Sequence, residues 1–303
     1  KLKINDEVKI YWGDEPIGKL KKGVDIFSPQ AECLNSEFLE SDKKLLISQK
    51  LQHWLQDEIA ILLKPIKDPI DNTISSDVRF ILFNVFNSLG TMLINDYSNT
   101  LKKLNESEKS EISKSGVRIG AKFFFIPNFL KKKPMEFNAL LWRVFNESQN
   151  SNYYPLPLDG RVSFNTKVEM PESYWLAIGY KCLNGFALRI DVFERVFFLA
   201  RQKLKYGPFL ESADMMNPIG CNSDQLVVIL DFCGFYSQKL DNNKKLFFQN
   251  QKKQPITNKI SIKRKINIKK NNSKKIKSKV GKSISSSVKK ENQPDPDSPF
   301  AVL

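Results

Sequence analysis

Residues 116–127 read GVRIGAKFFFIP, and residues 134–145 read PMEFNALLWRVF after a short basic segment. The first stretch combines β-forming residues with a terminating proline, which predicts a strand over 116–126 with a possible bulge at Gly120. The second stretch opens with Pro134, a favourable first residue of a helix. Its apolar residues recur at helical spacing, at positions 137, 140, 141 and 144. A strand followed by an amphipathic helix predicts a fold of the α+β class.

The residues on the N-terminal side of this pair extend the same fold. Alternation over residues 3–20, with a turn at 13–15, predicts a β-hairpin. Apolar periodicity over 37–64 and 75–94 predicts two helices. We therefore expect a mainly helical α+β chain, with a hairpin and a helical scaffold in domain 1–150 and a second subdomain in 151–250.

The second subdomain is predicted to contain a winged-helix-like unit at about 190–249. Its predicted order is a helix to about residue 205, a short helix near 211–217, a helix at 223–233 and two strands at 235–240 and 244–249. That order is typical of winged-helix DNA-binding units. A helical hairpin with a purely structural or protein-binding role is equally compatible with it.

The charge of the chain is concentrated near its C-terminus. The sequence has 48 Lys plus Arg, 33 Asp plus Glu and a formal net charge of +15. Residues 251–290 hold 15 of the basic residues and no acidic one, so 33 basic residues balance 33 acidic ones elsewhere. Such a segment cannot form a packed core, so residues 251–303 are predicted to be a disordered Lys-rich tail on a nearly neutral folded part.

Polycationic tails typically contact phosphate backbones without reading sequence, so RNA or single-stranded nucleic acid is the expected partner. An anionic membrane surface and a solvated tail with no specific partner are the other interpretations of this composition. Lys131, Lys132 and Lys133 form a second basic cluster that could extend a phosphate track, although a solvated loop at a helix entry is the simpler interpretation. The predicted nucleic-acid-binding residues of the tail are Lys252, Lys253, Lys259, Lys263, Arg264, Lys265, Lys269, Lys270, Lys274, Lys275, Lys277, Lys279, Lys282, Lys289 and Lys290.

The sequence contains no pattern that indicates a catalytic centre. Motifs of the DExH, DEAD and G-x-S-x-G types are absent. Gly281, Lys282 and Ser283 resemble the end of a phosphate-binding loop, but Ile276 stands where that loop requires glycine. The single histidine, His53, lies on a predicted helix without a partner constellation, and the four cysteines lack zinc-site spacing. No catalytic residue, metal or cofactor is therefore expected in this chain.

The apolar runs and the cysteine content of the sequence also indicate where in the cell the protein is located. No apolar run approaches the roughly 20 residues that cross a bilayer, and the N-terminus has no apolar segment of a secretory signal. Few cysteines are typical of a reducing compartment, so we expect a cytoplasmic protein without a membrane partner. The sequence gives no indication of oligomeric state. The chain does not begin with Met, which is expected of a fragment or of a processed chain.

Short segments in order along the chain carry a family resemblance. They are WGDEPIGKL at 12–20, GVRIG at 116–120, FIPNFLK at 125–131, FNALLW at 137–142, GY at 179–180, ALRID at 187–191, GPF at 207–209, GC at 220–221 and DSPFA at 297–301. Through them the chain resembles the C-terminal region of an alphaproteobacterial-type superfamily 2 ATP-dependent helicase, related to the mitochondrial degradosome RNA helicase. In that family a basic low-complexity tract also precedes a terminal Asp-Ser-Pro-Phe-Ala.

The resemblance implies a role as the accessory region of an RNA or DNA helicase. The two RecA-like motor domains, with their ATP and Mg sites, would lie upstream of Lys1. None of their motifs matches a position here, so no catalytic residue carries over and the chain is predicted to be inactive alone. The alternative is a protein–protein docking module that tethers a helicase or an RNA-processing partner. RNA versus DNA and the polarity of unwinding stay open.

Overall fold

A computed structural model describes residues 2–5, 8–34, 40–63, 74–146, 154–158, 160–240 and 244–249. Their helices are α1 (Ser41–Leu62), α2 (Ser76–Asn87), α3 (Ser98–Lys103), α4 (Glu106–Lys114), α5 (Lys132–Phe145), α6 (Glu172–Ala177), α7 (Ile190–Leu204), α8 (Ala213–Met216) and α9 (Ser223–Phe232). Their strands are β1 (Leu2–Ile4), β2 (Lys9–Trp12), β3 (Glu15–Lys21), β4 (Gln30–Cys33), β5 (Thr91–Leu93), β6 (Arg118–Ile119), β7 (Phe123–Phe125), β8 (Ser163–Asn165), β9 (Tyr180–Leu183), β10 (Phe186–Arg189), β11 (Phe209–Leu210), β12 (Tyr236–Lys239) and β13 (Lys245–Phe248). The predicted α+β class is confirmed.

The N-terminal hairpin belongs to a larger sheet than predicted. Strands β2 and β3 form the expected hairpin, and β1 and β4 add antiparallel strands on its two sides, in the order β1-β2-β3-β4. Helix α1 packs on β4, and the Gln52 side-chain amide of α1 joins the two elements. Its oxygen accepts from the Ala31 backbone N–H at 2.9 Å, and its nitrogen donates to the Pro29 carbonyl at 3.1 Å.

The helix predicted over 75–94 ends earlier, at Asn87. Ser75 caps its start as its residue type suggests, because the Ser75 hydroxyl accepts from the Val78 backbone N–H. Leu89 and Gly90 then adopt positive φ angles of 56° and 87°, which a helix cannot contain. The chain turns there into strand β5, which pairs with β7.

The strand predicted over 116–126 is a tight hairpin of two short strands, β6 and β7. They form a three-stranded antiparallel sheet with β5, in the order β5-β7-β6. The turn at 120–122 is held by Glu194 of α7, whose carboxylate accepts from the backbone N–H groups of Ala121, Lys122 and Phe123 at 2.7, 2.7 and 2.8 Å. A Cβ atom on Gly120 would lie 2.5 Å from that carboxylate, so the turn has room only for glycine.

Helix α5 begins at Lys132, two residues before Pro134, and buries the predicted apolar face. Phe137, Leu141 and Val144 are buried, and Leu140 is half-buried. A further antiparallel sheet, β8-β10-β9, leads directly into α7. Two hydrophobic clusters result, one spread over positions 10–187 and one over positions 123–247. They do not follow the boundary expected at residue 150, because Trp142 and Tyr174 share the first cluster while Phe123 belongs to the second.

Residues 190–249 have the predicted winged-helix order. Helix α7, strand β11, helices α8 and α9 and strands β12 and β13 follow one another, and the three strands pair in the order β11-β13-β12. The chain divides into two units, Lys1–Lys252 and Lys253–Leu303, and every element described above belongs to the first. The tail predicted at 251–303, with all of its fifteen predicted binding residues, lies outside the described residues.

Candidate nucleic-acid interface

The first surface of interest is a cavity of about 390 Å³ that collects basic side chains from four separate segments. We call it the basic cavity. Of the described residues that line it, five are basic and one, Asp191, is acidic. Its basic lining residues are Arg118, Lys131, Lys132, Arg161 and Arg189. Its apolar wall is formed by Phe125, Pro127, Leu130, Met135, Pro157 and Leu158.

Strand register places two of the arginines. Arg118 on β6 stands opposite Phe125 on β7, and Arg189 at the end of β10 stands opposite Tyr180 at the start of β9. Backbone pairing fixes the positions of these residues, so each arginine is held by a sheet rather than by a mobile loop.

Tyr180 positions the third arginine. Its hydroxyl donates to the Arg161 backbone carbonyl at 2.7 Å, and the next residue, Val162, accepts from the Arg189 backbone N–H at 2.8 Å. Burial raises the pKa of Tyr180 to about 12, so this hydroxyl stays protonated at neutral pH and keeps its donor. The segment that carries Arg161 is therefore tied to the same sheet as Arg189.

Lys131 and Lys132 stand at the start of α5. Lys131 is the N-cap residue, no side chain caps this helix end, and both lysines are exposed. The N-terminal turn of a helix carries a partial positive charge, which adds to that of the lysines. The structure thus brings two of the three predicted core residues into the basic cavity.

Lys133 lies elsewhere, because adjacent helical positions are rotated by about 100°. It lines a second, larger depression with a volume of about 950 Å³, which we call the apolar groove. The groove lies between β1, α1 and α5 and contains the aromatic side chains of Trp54, Phe137 and Tyr154. The Arg143 guanidinium lies over the Tyr154 ring, 4.7 Å from its centroid.

The Arg189–Asp191 pair sets the charge balance of the basic cavity. The Arg189 Nε and Nη2 atoms donate to the two Asp191 carboxylate oxygens at 2.6 and 2.9 Å. The hydrogen bond to Asp191 raises the pKa of Arg189, so its guanidinium remains charged. With this pair neutralised internally, Arg118, Lys131 and Arg161 add positive charge to the part of the lining that the described residues form. An arrangement of this kind can hold a phosphate group.

A close approach fixes the wall of the basic cavity. Gly179, at φ +74°, precedes Tyr180, and a Cβ atom there would lie 2.1 Å from Leu130 Cδ2. Only glycine meets both conditions, the left-handed backbone and the contact. Of the Gly-Tyr pair in the resemblance, Tyr180 lines the cavity and Gly179 lies against Leu130 of its apolar wall.

The winged-helix-like unit differs electrostatically from the basic cavity. In helix-turn-helix modules the second helix enters the major groove. Its counterpart here, α9, contains no Lys or Arg and exposes Asp224 and Asp231. Asp224 also pairs with Lys245 at the start of β13. The charge on α9 therefore opposes insertion between phosphate backbones.

Other candidate features occupy ordinary positions. His53 is exposed on α1, with its ring Nδ1 3.1 Å from an Asp57 carboxylate oxygen. All four cysteines are free thiols, and burial raises the pKa of Cys221 to about 11 and that of Cys233 to about 12. Within the described ranges no group of three His, Cys, Asp or Glu side chains is placed to hold a metal ion. In that same part of the chain no helix combines the length and the apolarity that crossing a bilayer requires.

Sequence reasoning missed Arg118, Arg161 and Arg189. Each is an isolated basic residue in its own segment, and only the tertiary fold brings the three to one cavity. Comparison with known proteins adds nothing to this geometry, since no protein-family model, curated protein or solved structure matches the chain.

Proposed function

We propose that this chain is the C-terminal accessory, nucleic-acid-binding region of an ATP-dependent RNA or DNA helicase. The observation that carries the proposal is the basic cavity, a concave surface that the described residues line with five basic side chains and one carboxylate. Nucleic acids carry closely spaced phosphate anions along their backbone, and arginine and lysine are the usual ligands of phosphate. The family resemblance supplies the helicase context.

In this proposal the basic cavity and the Lys-rich tail act together on RNA or single-stranded nucleic acid. The tail contributes long-range, sequence-independent attraction, and the cavity fixes where the backbone lies. ATP and Mg would be bound by a motor linked in cis and not by this chain, so the isolated chain is expected to hydrolyse no ATP with or without RNA. The four free thiols are in keeping with a reducing compartment, and we place the protein in the cytoplasm.

The test uses the full chain with its fifteen tail cations replaced by glutamine, so that the cavity is measured alone. The double variant Arg118→Ala/Arg161→Ala is compared with Lys133→Ala by fluorescence anisotropy on a single-stranded RNA. The expected result is weaker binding by the double variant and a salt dependence that falls by about 1.4 in log–log slope, about 0.7 for each lost phosphate contact.

Lys133→Ala is the matched control, because Lys133 is adjacent in sequence to Lys132 but lines the apolar groove. Equal affinities and equal salt slopes for the double variant and for Lys133→Ala would contradict a role for the basic cavity in RNA binding. ATP turnover by the pure chain, stimulated by RNA, would contradict the accessory role.

A docking module is the second candidate, and the apolar groove favours it. Trp54, Phe137 and Tyr154 line this groove, whose volume of about 950 Å³ is at the upper end of the range for ligand pockets in proteins. A stoichiometric protein partner that survives nuclease treatment and high salt, and that is lost with Trp54→Ala, would support docking over RNA binding.

A further inference from the structure

One face of α7 begins at the basic cavity and continues away from it. Asp191 lines the cavity in the first turn of α7. A helix with 3.6 residues per turn places on the same side as Asp191 the residues four, seven and fourteen positions after it, which are Arg195, Phe198 and Lys205. Arg201 lies beside them. All four of these side chains are exposed. We call Arg195, Phe198, Arg201 and Lys205, with Tyr206 directly after the helix, the α7 face.

The α7 face exposes two aromatic rings that the hydrophobic core leaves uncovered. Phe198 is 59% exposed and Tyr206 is 94% exposed, whereas Phe193 and Phe197 of the same helix are buried. The Arg201 guanidinium lies 5.8 Å from the centroid of the buried Phe197 ring. An isolated exposed aromatic residue is common, but here cations precede and follow the exposed phenylalanine along one helical face.

We infer that the α7 face binds single-stranded nucleic acid as the strand leaves the basic cavity. This inference rests on the proposed function, because the cavity is where the path begins. Unpaired bases stack on the rings of Phe198 and Tyr206, and Arg195, Arg201 and Lys205 contact the phosphates between them. Interleaved cations and aromatic rings are the combination by which proteins bind single strands without reading their sequence.

Stacking on the α7 face discriminates single strands from duplexes. A base presents its face to a side chain only when it is unpaired at that position, so stacking on Phe198 requires a single strand. The geometry of α7 gives the length of the path from the basic cavity along the α7 face. At 1.5 Å per residue, Phe198 lies about 10 Å and Lys205 about 21 Å from Asp191 along the helix. A dinucleotide that fills only the basic cavity would not reach Phe198.

The decisive variant is Phe198→Ala in the full chain with the tail cations replaced by glutamine. Its affinity for a single-stranded 12-mer RNA is expected to fall by between about 5-fold and 150-fold, the range for loss of one stacked base. The affinities for the fully paired duplex and for a dinucleotide are expected to stay unchanged. Phe198→Trp is expected to retain binding to the single strand.

Phe83→Ala is the matched control, because Phe83 is also an aromatic residue on a helix, α2, and is also 59% exposed. If Phe198→Ala binds the 12-mer as tightly as Phe83→Ala does, the inference is overturned, and the proposed function stands provided that Arg118→Ala/Arg161→Ala still weakens binding. If Phe198→Ala weakens the 12-mer and the duplex equally, the ring does not stack on unpaired bases and the inference is again overturned. If Phe198→Ala weakens the 12-mer alone while Arg118→Ala/Arg161→Ala has no effect, the basic cavity has no role in the binding, and the inferred path that begins at the cavity is overturned.

Discussion

Replacing Glu194 by alanine is expected to lower the free energy of unfolding by about 2–4 kcal/mol. The Glu194 carboxylate accepts three backbone N–H groups from the turn at 120–122 and the residue after it. Leaving a buried donor without its acceptor costs about 1–3 kcal/mol. The Ala121 amide is exposed and gains a water, so the other two donors determine the loss. The Lys122 and Phe123 amides are only partly buried, so each is expected to cost about 1–2 kcal/mol, in the lower part of that range.

The assay is urea unfolding followed by circular dichroism, together with thermal unfolding. For a folded part of this size a loss of 2–4 kcal/mol corresponds to a fall in Tm of roughly 4–16 °C. Amide hydrogen exchange at Lys122 and Phe123 is expected to accelerate in the variant, because both amides lose their acceptor. Glu194→Gln is expected to lose less stability, because its remaining oxygen still accepts two of the bonds while its amide nitrogen faces the Ala121 donor.

Glu136→Ala is the control, since Glu136 is an exposed glutamate on helix α5. Its stability is expected to stay within about 0.5 kcal/mol of the parent chain. If Glu194→Ala unfolds at the same urea concentration as Glu136→Ala, the carboxylate does not hold the hairpin. The attachment of β6 and β7 to α7 would then depend on hydrophobic packing alone.

Three further changes have defined outcomes. Tyr180→Phe is expected to remove a loss of stability, up to about 3 kcal/mol, that the parent chain shows in urea unfolding between about pH 10 and pH 12. Burial raises the folded-state pKa of Tyr180 to about 12, so its stabilising contribution is complete below the unfolded-state pKa of about 10 and is lost as the pH rises through the folded-state pKa. Parallel pH curves for the two proteins would contradict this. Asn138→Ala is expected to destabilise the chain by about 1–3 kcal/mol in thermal unfolding, because the buried Asn138 amide donates to the Leu89 carbonyl at 3.1 Å in the turn between α2 and β5. An unchanged Tm would show that this hydrogen bond is dispensable. Alkylation at pH 8 is expected to label Cys221 and Cys233 far more slowly in the native chain than in the urea-unfolded chain, because burial raises both thiol pKa values and thiolates are the reactive species. Equal labelling rates would mean that these thiols are accessible in the native chain.

Much of the local structure follows from the sequence because local physics determines it. The apolar spacing from Phe137 to Val144 predicts the buried face of α5, and Ser75 predicts the start of α2. The winged-helix order at 190–249 follows from glycine and proline positions that end each element. The hairpin predicted over residues 3–20 places Ile4 and Trp12 on one strand, but Val8 adopts a positive φ of 66° and the chain reverses, so that β1 pairs with β2. Strand β4 is not predicted, because its four residues show no clear alternation.

Other features depend on contacts between distant residues, which spacing does not reveal. The end of α2 at Asn87 follows from positive φ angles at Leu89 and Gly90, and Leu89 is an unusual residue for that conformation. The split of 116–126 into two strands depends on Glu194, which lies more than seventy positions later in the chain. The predicted cluster 131–133 is divided between the basic cavity and the apolar groove.

The measurement that tests the basic cavity most directly is lysine acetylation footprinting of the full chain with and without single-stranded RNA, read residue by residue by mass spectrometry. Lys131, Lys132 and Lys133 are adjacent and all exposed, but only the first two line the cavity. We predict that saturating RNA protects Lys131 and Lys132 from acetylation and leaves Lys133 reactive. If RNA binds while Lys131 and Lys132 react as they do without it, the basic cavity is not where the phosphate backbone lies.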